Sequence, residues 1–362
     1  MKRIAILGAA LAVLLTACAP ASSSTPPSST SSSAPASSQE EVVPFTDMAG
    51  REIQLPEDVD VVDSVYCTDP VGSLTVYTLA PDKLLGWNYS FNDQEAPYIL
   101  PEYVDLPVYG MGDSVNLEAI IADAPDLCIQ MGSLNEASIE KADKLQEQLG
   151  IPVVMVSSAL EDSPEAYEFL GKLLAEEEQA AKLADYARAA LERAAAHPEN
   201  GPTVYYGNGV GSLETAPVGS VSAEVFELLG ADNVAKLEIE SGSRVQVSAE
   251  QILGWNPAYI FVNGEPKQDL TASQAAQELM DDPLYANVEA VQKGQVYGVP
   301  KAPFAWVDRP MGPNRLIGLD WVGNILYPDQ YSDGLESYVK EFYSLFYHME
   351  LTDEQLTQLM DG

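Results

Sequence analysis

Two arginines, Arg244 and Arg309, are the side chains best suited to holding a charged ligand. The chain carries 18 Lys and Arg residues against 55 Asp and Glu residues, which gives a net charge of −37 at pH 7. In so acidic a chain a guanidinium is a fitting anchor for an anion, because it offers paired donors to carboxylate-like oxygens. A surface ion pair with a carboxylate is the alternative for each arginine. The same acidity excludes non-specific nucleic-acid binding, since the phosphates would be repelled.

Aromatic and sulfur-containing side chains are concentrated where the predicted strands end, and with the arginines they form a candidate ligand site. In the first half of the chain its residues are Tyr66, Asp69, Trp87, Tyr89, Met111 and Met131. In the second half they are Tyr206, Asn208, Arg244, Asn263, Trp306 and Arg309. Wide aromatic walls with a few polar groups suit a large planar or lipophilic chelate. Ordinary core packing is an equally good account of each Trp and Tyr.

Motifs that would carry catalysis are missing from the sequence. Only two histidines occur, His197 and His348, whereas HExxH metalloproteases and most Ser-His-Asp hydrolases depend on that residue. Residues 207–211, GNGVG, have the wrong spacing for a dinucleotide-binding loop, and neither a GxSxG elbow nor a Walker A motif is found. A secreted glycoside hydrolase with paired carboxylates is the enzyme alternative, and a structural surface protein is a third class. We therefore predict a binding protein that is not an enzyme and has no cofactor.

Direct coordination of a metal by the protein is a separate question, because Fe(III) accepts Tyr and carboxylate oxygens. No compact group of Tyr, Asp, Glu and His occurs at ligand spacing. A metal that arrives already chelated is therefore favoured over a bare ion, and no protein metal site is predicted. Haem would need a tyrosine such as Tyr66 or Tyr206 as its axial ligand, since neither histidine falls near the predicted strand ends.

The order of elements indicates an α/β fold with parallel sheets. From Val43 onward, short apolar runs alternate with helical segments, as they do in βαβ units. The predicted strands fall in two series, a first over 61–66, 83–86, 127–131 and 153–156 and a second over 203–206, 259–263 and 295–299. Because the carboxyl ends of parallel strands present ligand contacts, the candidate site is expected between two lobes.

Residues 164–196 form the longest helical stretch, and we predict one continuous helix there. Ser163 is a suitable N-cap and Pro164 fits the first turn. At 1.5 Å per residue this helix would be about 50 Å long. It would join the two lobes as a stiff connector, so we expect hinge motion of only a few degrees.

An internal repeat supports two similar lobes. Segments 116–129 and 248–261 align without a gap. Each begins with a capping residue and carries a glutamate two positions later, Glu118 or Glu250, before a proline and a predicted strand. An acidic side chain in a first turn is favoured by the helix dipole, which accounts for either glutamate without any function. The matched placement on both lobes favours a shared role.

The start of the chain indicates export. Two basic residues precede an apolar run too short to span a bilayer, and residues 15–18, LTAC, resemble the lipobox of bacterial lipoproteins, whose lipidated cysteine is here Cys18. An oxidising compartment permits a disulfide, so Cys67 and Cys128 are either bonded or two buried thiols. The predicted parts of the chain are a signal peptide over 1–17, the lipidated cysteine and a Ser/Pro-rich tether over 18–42, an N-terminal α/β lobe over 43–160, a bridging helix over 161–200 and a C-terminal α/β lobe over 201–362.

Several short motifs occur in a characteristic order and spacing. They are Phe45-Thr46-Asp47-Met48-Ala49-Gly50-Arg51, Asn116-Leu117-Glu118 ahead of Pro125-Asp126-Leu127, Val247-Ser248-Ala249-Glu250, and Asn314-Arg315-Leu316 leading to Trp321. With the lipobox, this chain resembles the class III, helical-backbone solute-binding proteins of ABC transporters over nearly all of 43–350. The resemblance implies two Rossmann-like lobes with parallel sheets joined by a single long α-helix. It also implies a monomeric receptor that is lipid-anchored to the cell membrane on its extracytoplasmic side.

The resemblance further implies the partners and the solute. In that class an acidic residue on the outer surface of each lobe docks with arginines of the permease, and Glu118 and Glu250 match those positions. The partners would be an ABC permease with its ATPase subunits, a small-molecule metal chelate, and the membrane through the lipid anchor, without nucleic acid. The solute would be an iron-siderophore or a related chelate or corrinoid, with haem or an oxyanion such as molybdate as the alternative.

Overall fold

The computed structural model describes residues 43–55, 62–239, 242–264, 270–331 and 334–361. The predicted signal peptide, Cys18 and the tether lie outside these described residues. Within the same ranges, no helix is both long and apolar enough to cross a membrane.

The first lobe begins with an antiparallel hairpin and continues into a three-stranded parallel sheet. Its strands are β1 Val43–Thr46, β2 Glu52–Leu55, β3 Val65–Cys67, β4 Leu127–Gly132 and β5 Val153–Ser157. Its helices are α1 Pro70–Leu79, α2 Pro101–Val104, α3 Leu117–Asp123 and α4 Glu136–Leu149. The parallel strands have the order β3-β4-β5. The apolar strand β5 is buried along its whole length, as is typical of parallel sheets covered by helices.

The connector differs from the single long helix predicted over 164–196, and this detail of the prediction is wrong. The segment forms two helices, α5 Ser163–Leu173 and α6 Glu177–Ala195. The chain turns at Ala175, whose φ is +55°, and α6 packs back against α5 so closely that a side chain at Gly171 would collide with Ala180. The acidic run after the turn favours a new helix start, because its charges lie in the first turn of α6.

The second lobe contains a six-stranded mixed sheet. Its strands are β6 Thr203–Asn208, β7 Glu214–Thr215, β8 Asp232–Asn233, β9 Val245–Gln246, β10 Tyr259–Val262 and β11 Val296–Gly298. Its helices are α7 Glu224–Leu228, α8 Ala249–Trp255, α9 Ala272–Asp281, α10 Glu289–Gln292, α11 Asn314–Leu326, α12 Leu335–Phe346 and α13 Asp353–Asp361. The sheet order is β11-β10-β6-β7-β9 with β8 also on β6, and β7 runs antiparallel to both of its neighbours, β6 and β9. The predicted class, an α/β fold with two lobes and parallel sheets, is confirmed.

One predicted strand is absent from the described part of the chain. Residues Pro81–Lys83 form a 3₁₀ turn instead of leading into a strand over 83–86. Only Leu84 then forms a bridge, with Val65 of β3. The N–H of Leu85 donates to Val65 O at 3.0 Å, so this apolar run pairs with β3 at one point without forming a regular strand. Each of the other predicted strands overlaps an observed strand, although the one predicted over 61–66 begins only at Val65.

The main apolar cluster of the described residues spans the two lobes, beside a smaller cluster in each lobe. Ile129 of β4 and Phe261 of β10 belong to the same cluster of buried side chains, together with Leu183 and Ala187 of α6. At 1.5 Å per residue α6 is about 28 Å long, and it contacts α1 of the first lobe as well as α7, α11 and α12 of the second. Residues 41–362 accordingly form one compact unit. The connector is therefore part of the core of both lobes.

The internal repeat is present in the structure. The helices α3 and α8 start at equivalent positions, after Asn116 and Ser248, whose side chains accept from the backbone N–H groups three residues on. Both helices end in a left-handed residue, Ala124 with φ +45° or Asn256 with φ +46°. A proline and a parallel strand follow in each case. The same local sequence pattern therefore builds the same cap, helix and strand in both lobes.

The two described cysteines are buried and unbonded. They lie on neighbouring strands, but Cys128 is opposite Tyr66 in the register whereas Cys67 is opposite Ile129. Since successive side chains of a strand alternate between faces, the two thiols point to opposite sides of the sheet. Burial raises the pKa of both thiols, so neither is a reactive thiolate.

Candidate functional site

A cleft of about 730 Å³ lies between the two lobes, within the ~300–1,000 Å³ range of small-molecule sites. The first lobe contributes Pro70, Val71, Tyr89, Glu95 and Met111. The second lobe contributes Gly209, Glu214, Arg244, Asn263, Gly264, Lys301, Pro303, Phe304, Ala305, Arg309, Pro310 and Met311. Most of the second set comes from one segment, 301–311, between β11 and α11.

The carboxyl ends of the parallel strands place these residues. The strand β6 ends at Asn208, and β10 leads into Asn263 and Gly264, so both strands run towards the cleft. On the other side, the first turn of α1 meets the cleft at Pro70 and Val71. Asp69 caps this helix by accepting from the N–H groups of Val71 and Gly72 at 3.0 Å. Asp69 therefore shapes the wall of the cleft and does not line it.

The two candidate arginines have different surroundings. Arg244 is paired with Asp308, a buried carboxylate that also accepts from Ser222 Oγ at 2.8 Å. Arg309 is exposed at the cleft and has no carboxylate partner among the described residues. The other arginines that the structure describes are all ion-paired, namely Arg51, Arg188, Arg193, Arg244 and Arg315. Arg309 is therefore the one arginine of the described residues that has no salt bridge.

Two carboxylates also line the cleft. Glu95, half-buried, accepts from the backbone N–H of Asn92 at 3.0 Å, and burial raises its pKa. Glu214 accepts from Gln246 Nε2 at 2.7 Å. Neither forms a salt bridge with a cation of the described chain. The cleft is thus lined by charges of both signs.

Two buried amides lie at the cleft on the second lobe, with Asn263 in its lining and Asn208 behind it. Asn263 is 6% exposed and donates to Asn208 Oδ1 at 3.1 Å, while Asn263 Oδ1, Asn208 Nδ2 and Arg244 Nε have no hydrogen-bond partner in the described chain. Buried polar atoms are nearly always paired in folded proteins. Unpaired atoms at the edge of a cleft are therefore candidates for contact with a ligand.

Aromatic rings close one side of the cleft across both lobes. Tyr89 of the first lobe and Phe304 of the second are in edge-to-face contact, with ring centroids 6.2 Å apart. Phe91 joins them at 6.1 Å from each ring. Such pairs are worth roughly 0.5–1.5 kcal/mol beyond the burial of their area. This contact gives the cleft an apolar wall that both lobes share.

The structure brings some of the predicted site residues together and not others. The predicted residues that line the cleft are Tyr89, Met111, Arg244, Asn263 and Arg309. Those buried behind it on the second lobe are Tyr206 and Asn208, and Met131 borders a separate small cavity.

Tyr66, Trp87 and Trp306 pack in the core, so their predicted place in the cleft is corrected. Tyr66 faces Tyr109 on the far side of the first sheet. The indole N–H of Trp87 donates to Tyr103 O at 2.7 Å, and Trp306 is fully buried. A strand-end position predicts that a residue is near the cleft, but not which way its side chain points.

Several cleft residues were missed from the sequence. They are chiefly Glu95, Glu214, Lys301, Phe304 and Met311. The two glutamates carried no signal among 55 acidic residues. Proximity to Trp306 and Arg309 could have identified the whole segment 301–311. Among the described residues, no three His, Cys, Asp or Glu side chains converge closely enough to hold a metal ion.

Glu118 and Glu250 are exposed in the first turns of the equivalent helices α3 and α8. Hydrogen bonds from its own backbone N–H and from Ser248 hold the pKa of Glu250 below its ordinary value. Glu250 is therefore a carboxylate at neutral pH.

Comparison with known proteins gives one family match and three similar proteins. The sequence profile of a family described as periplasmic binding protein matches residues 67–303. An ABC transporter solute binding protein from Sulfurospirillum deleyianum is 30% identical, with 88% of this chain and 99% of that chain covered and a TM-score of 0.77. A periplasmic solute binding protein from Veillonella parvula is 25% identical, with 88% and 96% covered and a TM-score of 0.69. The molybdate-binding protein MolA of Haemophilus influenzae is 25% identical over 332 residues, which cover 83% of this chain and 90% of MolA.

The contrast between the two cleft arginines can be tested by stability. Arg244→Ala should lower the free energy of unfolding by about 3 kcal/mol, because it leaves the buried Asp308 carboxylate without its cation. Arg309→Ala should change that free energy by less than about 0.5 kcal/mol, since Arg309 is exposed and unpaired. Urea unfolding of both variants without added solute measures the difference. Equal losses in the two variants would contradict the distinction.

Proposed function

Because the chain belongs to the periplasmic binding protein family, we propose that its cleft captures a metal chelate with anionic oxygens, an iron-siderophore complex above all. Proteins of this family bind solutes for ABC transporters and are not enzymes, which removes the glycoside hydrolase alternative. The protein therefore acts outside the cytoplasm, with an ABC permease as its partner. The solute class is argued below from the cleft.

The unpaired Arg309 is the observation that carries this proposal. Every other described arginine of this chain, whose net charge is −37, forms a salt bridge with one of its own carboxylates. The guanidinium of Arg309 is instead available at the cleft. A bidentate, always-charged donor of this kind suits carboxylate, catecholate or hydroxamate oxygens.

The size and walls of the cleft favour a chelate over a small ion. A volume of about 730 Å³ far exceeds what a five-atom oxyanion needs. Tyr89, Phe304 and Met311 add apolar surface to the lining. An organic chelate would bury such surface, whereas a bare oxyanion would leave it to water.

An oxyanion such as molybdate is the second candidate solute. The H. influenzae relative is named as a molybdate-binding protein. Arg309 would attract such an ion as well, and the unpaired Arg244 Nε is a further donor at the cleft. A corrinoid remains within the chelate class by size.

Haem is less well supported. Its axial ligand would have to be Tyr66 or Tyr206, yet both are buried and neither lines the cleft. Burial also raises the pKa of both hydroxyls, which disfavours the tyrosinate that Fe(III) prefers.

The membrane anchor and the division of the chain are part of the same proposal. Residues 1–17 would be cleaved as a signal peptide, Cys18 would carry the lipid, and 18–42 would tether the receptor. The sheets and the helical connector support lobes near 43–160 and 201–362 with 161–200 between them. We propose a monomer, since one chain supplies both walls of the cleft.

Docking to the permease is proposed for Glu118 and Glu250. Their equivalent places on α3 and α8 give each lobe one exposed carboxylate at a helix start. A single exposed ion pair contributes only ~0–1 kcal/mol. Docking would therefore need both lobes at once, together with surface complementarity.

The role of Arg309 can be measured by binding. A thermal-shift screen over ferric siderophores, haem, cobalamin and molybdate first identifies the tightest solute. Arg309→Ala should then weaken that solute by about tenfold or more, the loss of one charge-assisted contact. Isothermal titration calorimetry at physiological salt gives both dissociation constants. Lys340→Ala, an exposed cation on α12, is the matched control, and an unchanged constant in Arg309→Ala would refute the role.

The proposed docking role predicts that solute uptake can be lost while solute binding is retained. Glu118→Lys combined with Glu250→Lys should abolish solute uptake by cells while the dissociation constant of the purified protein stays within about twofold, because neither glutamate lines the cleft. Glu136→Lys, another exposed first-turn glutamate, is the control and should leave uptake intact. Normal uptake in the double variant would disprove docking through these residues.

A further inference from the structure

The cleft holds charged side chains of both signs without a direct salt bridge, Arg309, Glu95 and Glu214, although Glu214 lies near enough to Arg244 for their charges to interact. Glu95 belongs to the first lobe and Glu214 to β7 of the second, while Arg309 lies on the segment 301–311. We propose that the solute is dipolar, with anionic oxygens that face Arg309 and a cationic group, such as a pendant ammonium, that faces Glu95 and Glu214. This inference rests on the proposed function and narrows its solute class.

Glu95 has no salt-bridge partner among the described cations. One of its carboxylate oxygens accepts from Asn92 N, and no described cation forms a salt bridge with the other. Partial burial makes the charge costly, as the raised pKa of Glu95 shows. A cationic group of the solute would offset that cost, since opposite charges attract more strongly where water is partly excluded.

Glu214 is held in place by its neighbours. Gln246 on the adjacent strand donates to Oε1, and the backbone of Gly209 lies against the carboxylate. A side chain at Gly209, whose φ is +66°, would approach Glu214 Cδ to 2.8 Å. Glycine therefore leaves the room that this carboxylate occupies. The second carboxylate oxygen has no hydrogen-bond donor among the described residues.

An independent feature shows that this wall of the cleft is built for a ligand. Asn263 is 6% exposed and lines the cleft, yet its Oδ1 has no partner in the described chain. A buried amide left half-paired is rare in folded proteins. A polar group of the solute would complete its hydrogen bonds on the same wall as Glu214.

The mixed charge argues against a bare oxyanion. The lining also holds Lys301 and the Asp308-paired Arg244, so a tetrahedral dianion would gain from cations there, but the two carboxylates of the same partly buried cleft would repel it. A chelate that places its cationic group away from its anionic oxygens satisfies both signs. The carboxylates then act as a selectivity device against small anions.

The test compares three ferric tris-hydroxamate complexes that differ only in their tail: ferrioxamine B with its free ammonium, its N-acetyl derivative and its N-succinyl derivative. Molybdate is the fourth probe. Full-length mature protein is titrated with each by calorimetry. We expect the ammonium complex to bind about tenfold more tightly than the acetyl complex, and the succinyl complex to bind most weakly of the three.

Variants of the two cleft glutamates then test whether they cause the preference for the ammonium complex. Glu95→Gln and Glu214→Gln should each reduce the ratio between the ammonium and acetyl complexes to about threefold, and the double variant should abolish it. Asp93→Asn, which removes an exposed charge near Glu95 but outside the cleft, should leave the ratio unchanged. Arg309→Ala should weaken both complexes by a similar factor.

The outcomes separate this inference from the proposed function. Equal binding of the three complexes, or preference for the succinyl tail, overturns the dipolar solute but leaves chelate binding intact. Tight binding of molybdate without binding of any chelate overturns both. Failure of all four probes to bind counts against both as well. A tail preference in the wild type supports the inference even if one variant does not fold.

Discussion

Arg315 fixes the two lobes to each other, and the geometry of the cleft depends on it. Its guanidinium, only 1% exposed, is paired with Glu224 of the second lobe and donates to Ser158 O of the first at 2.8 Å. The same Glu224 accepts from Leu160 N at 2.8 Å. Burial lowers the pKa of Arg315, and a charge this deep is costly unless it is paired, here through Nη1 and Nη2 while Nε has no partner among the described residues. Moving one lobe would break bonds that water could not readily replace.

The helix α6 reinforces this constraint. It carries a buried face of small and aliphatic residues into a core that includes both sheets, and Arg193 near its end pairs with the buried Asp320 of α11. A connector made of flexible strands would leave a separate core in each lobe. Here the main apolar cluster spans both lobes, beside a smaller cluster in each, so most of the freedom to adapt to a solute belongs to the side chains and segments that line the cleft.

The two arginines of the cleft differ in whether they are paired. Arg244 is held by Asp308 and helps to fix the segment 301–311, and Arg309, next along that segment, is left without a partner. The ion pair at Asp308 thus stabilises the loop, and the neighbouring Arg309 is the side chain that we propose contacts the solute. Carboxylates elsewhere on the chain repel anions from the rest of its surface, so anions are attracted mainly close to the unpaired Arg309.

The sequence predicted the scaffold better than the site. The repeat around Asn116 and Ser248 identified both lobes, because a cap, a glutamate and a proline are local signals. The helix break at Ala175 could not be predicted from the sequence, since it depends on how closely Gly171 approaches Ala180 after the chain folds back. Strand ends predicted the cleft, but Trp87 and Trp306 proved to be core residues, because the side-chain direction in a loop is decided by packing. The cleft glutamates, Glu95 and Glu214, could not be distinguished from the other carboxylates, because the direction of their side chains also depends on packing.

The near-rigid cleft is tested most directly by the distance between the lobes in solution. Spin labels at Glu140→Cys on α4 and Glu278→Cys on α9 would report it by double electron–electron resonance, since both positions are exposed and the native Cys67 and Cys128 are buried. We expect the mean distance to shift by less than about 2 Å when the tightest-binding chelate saturates the protein. A shift of many ångströms, or a broad distribution that narrows on binding, would contradict a receptor whose main apolar cluster spans both lobes.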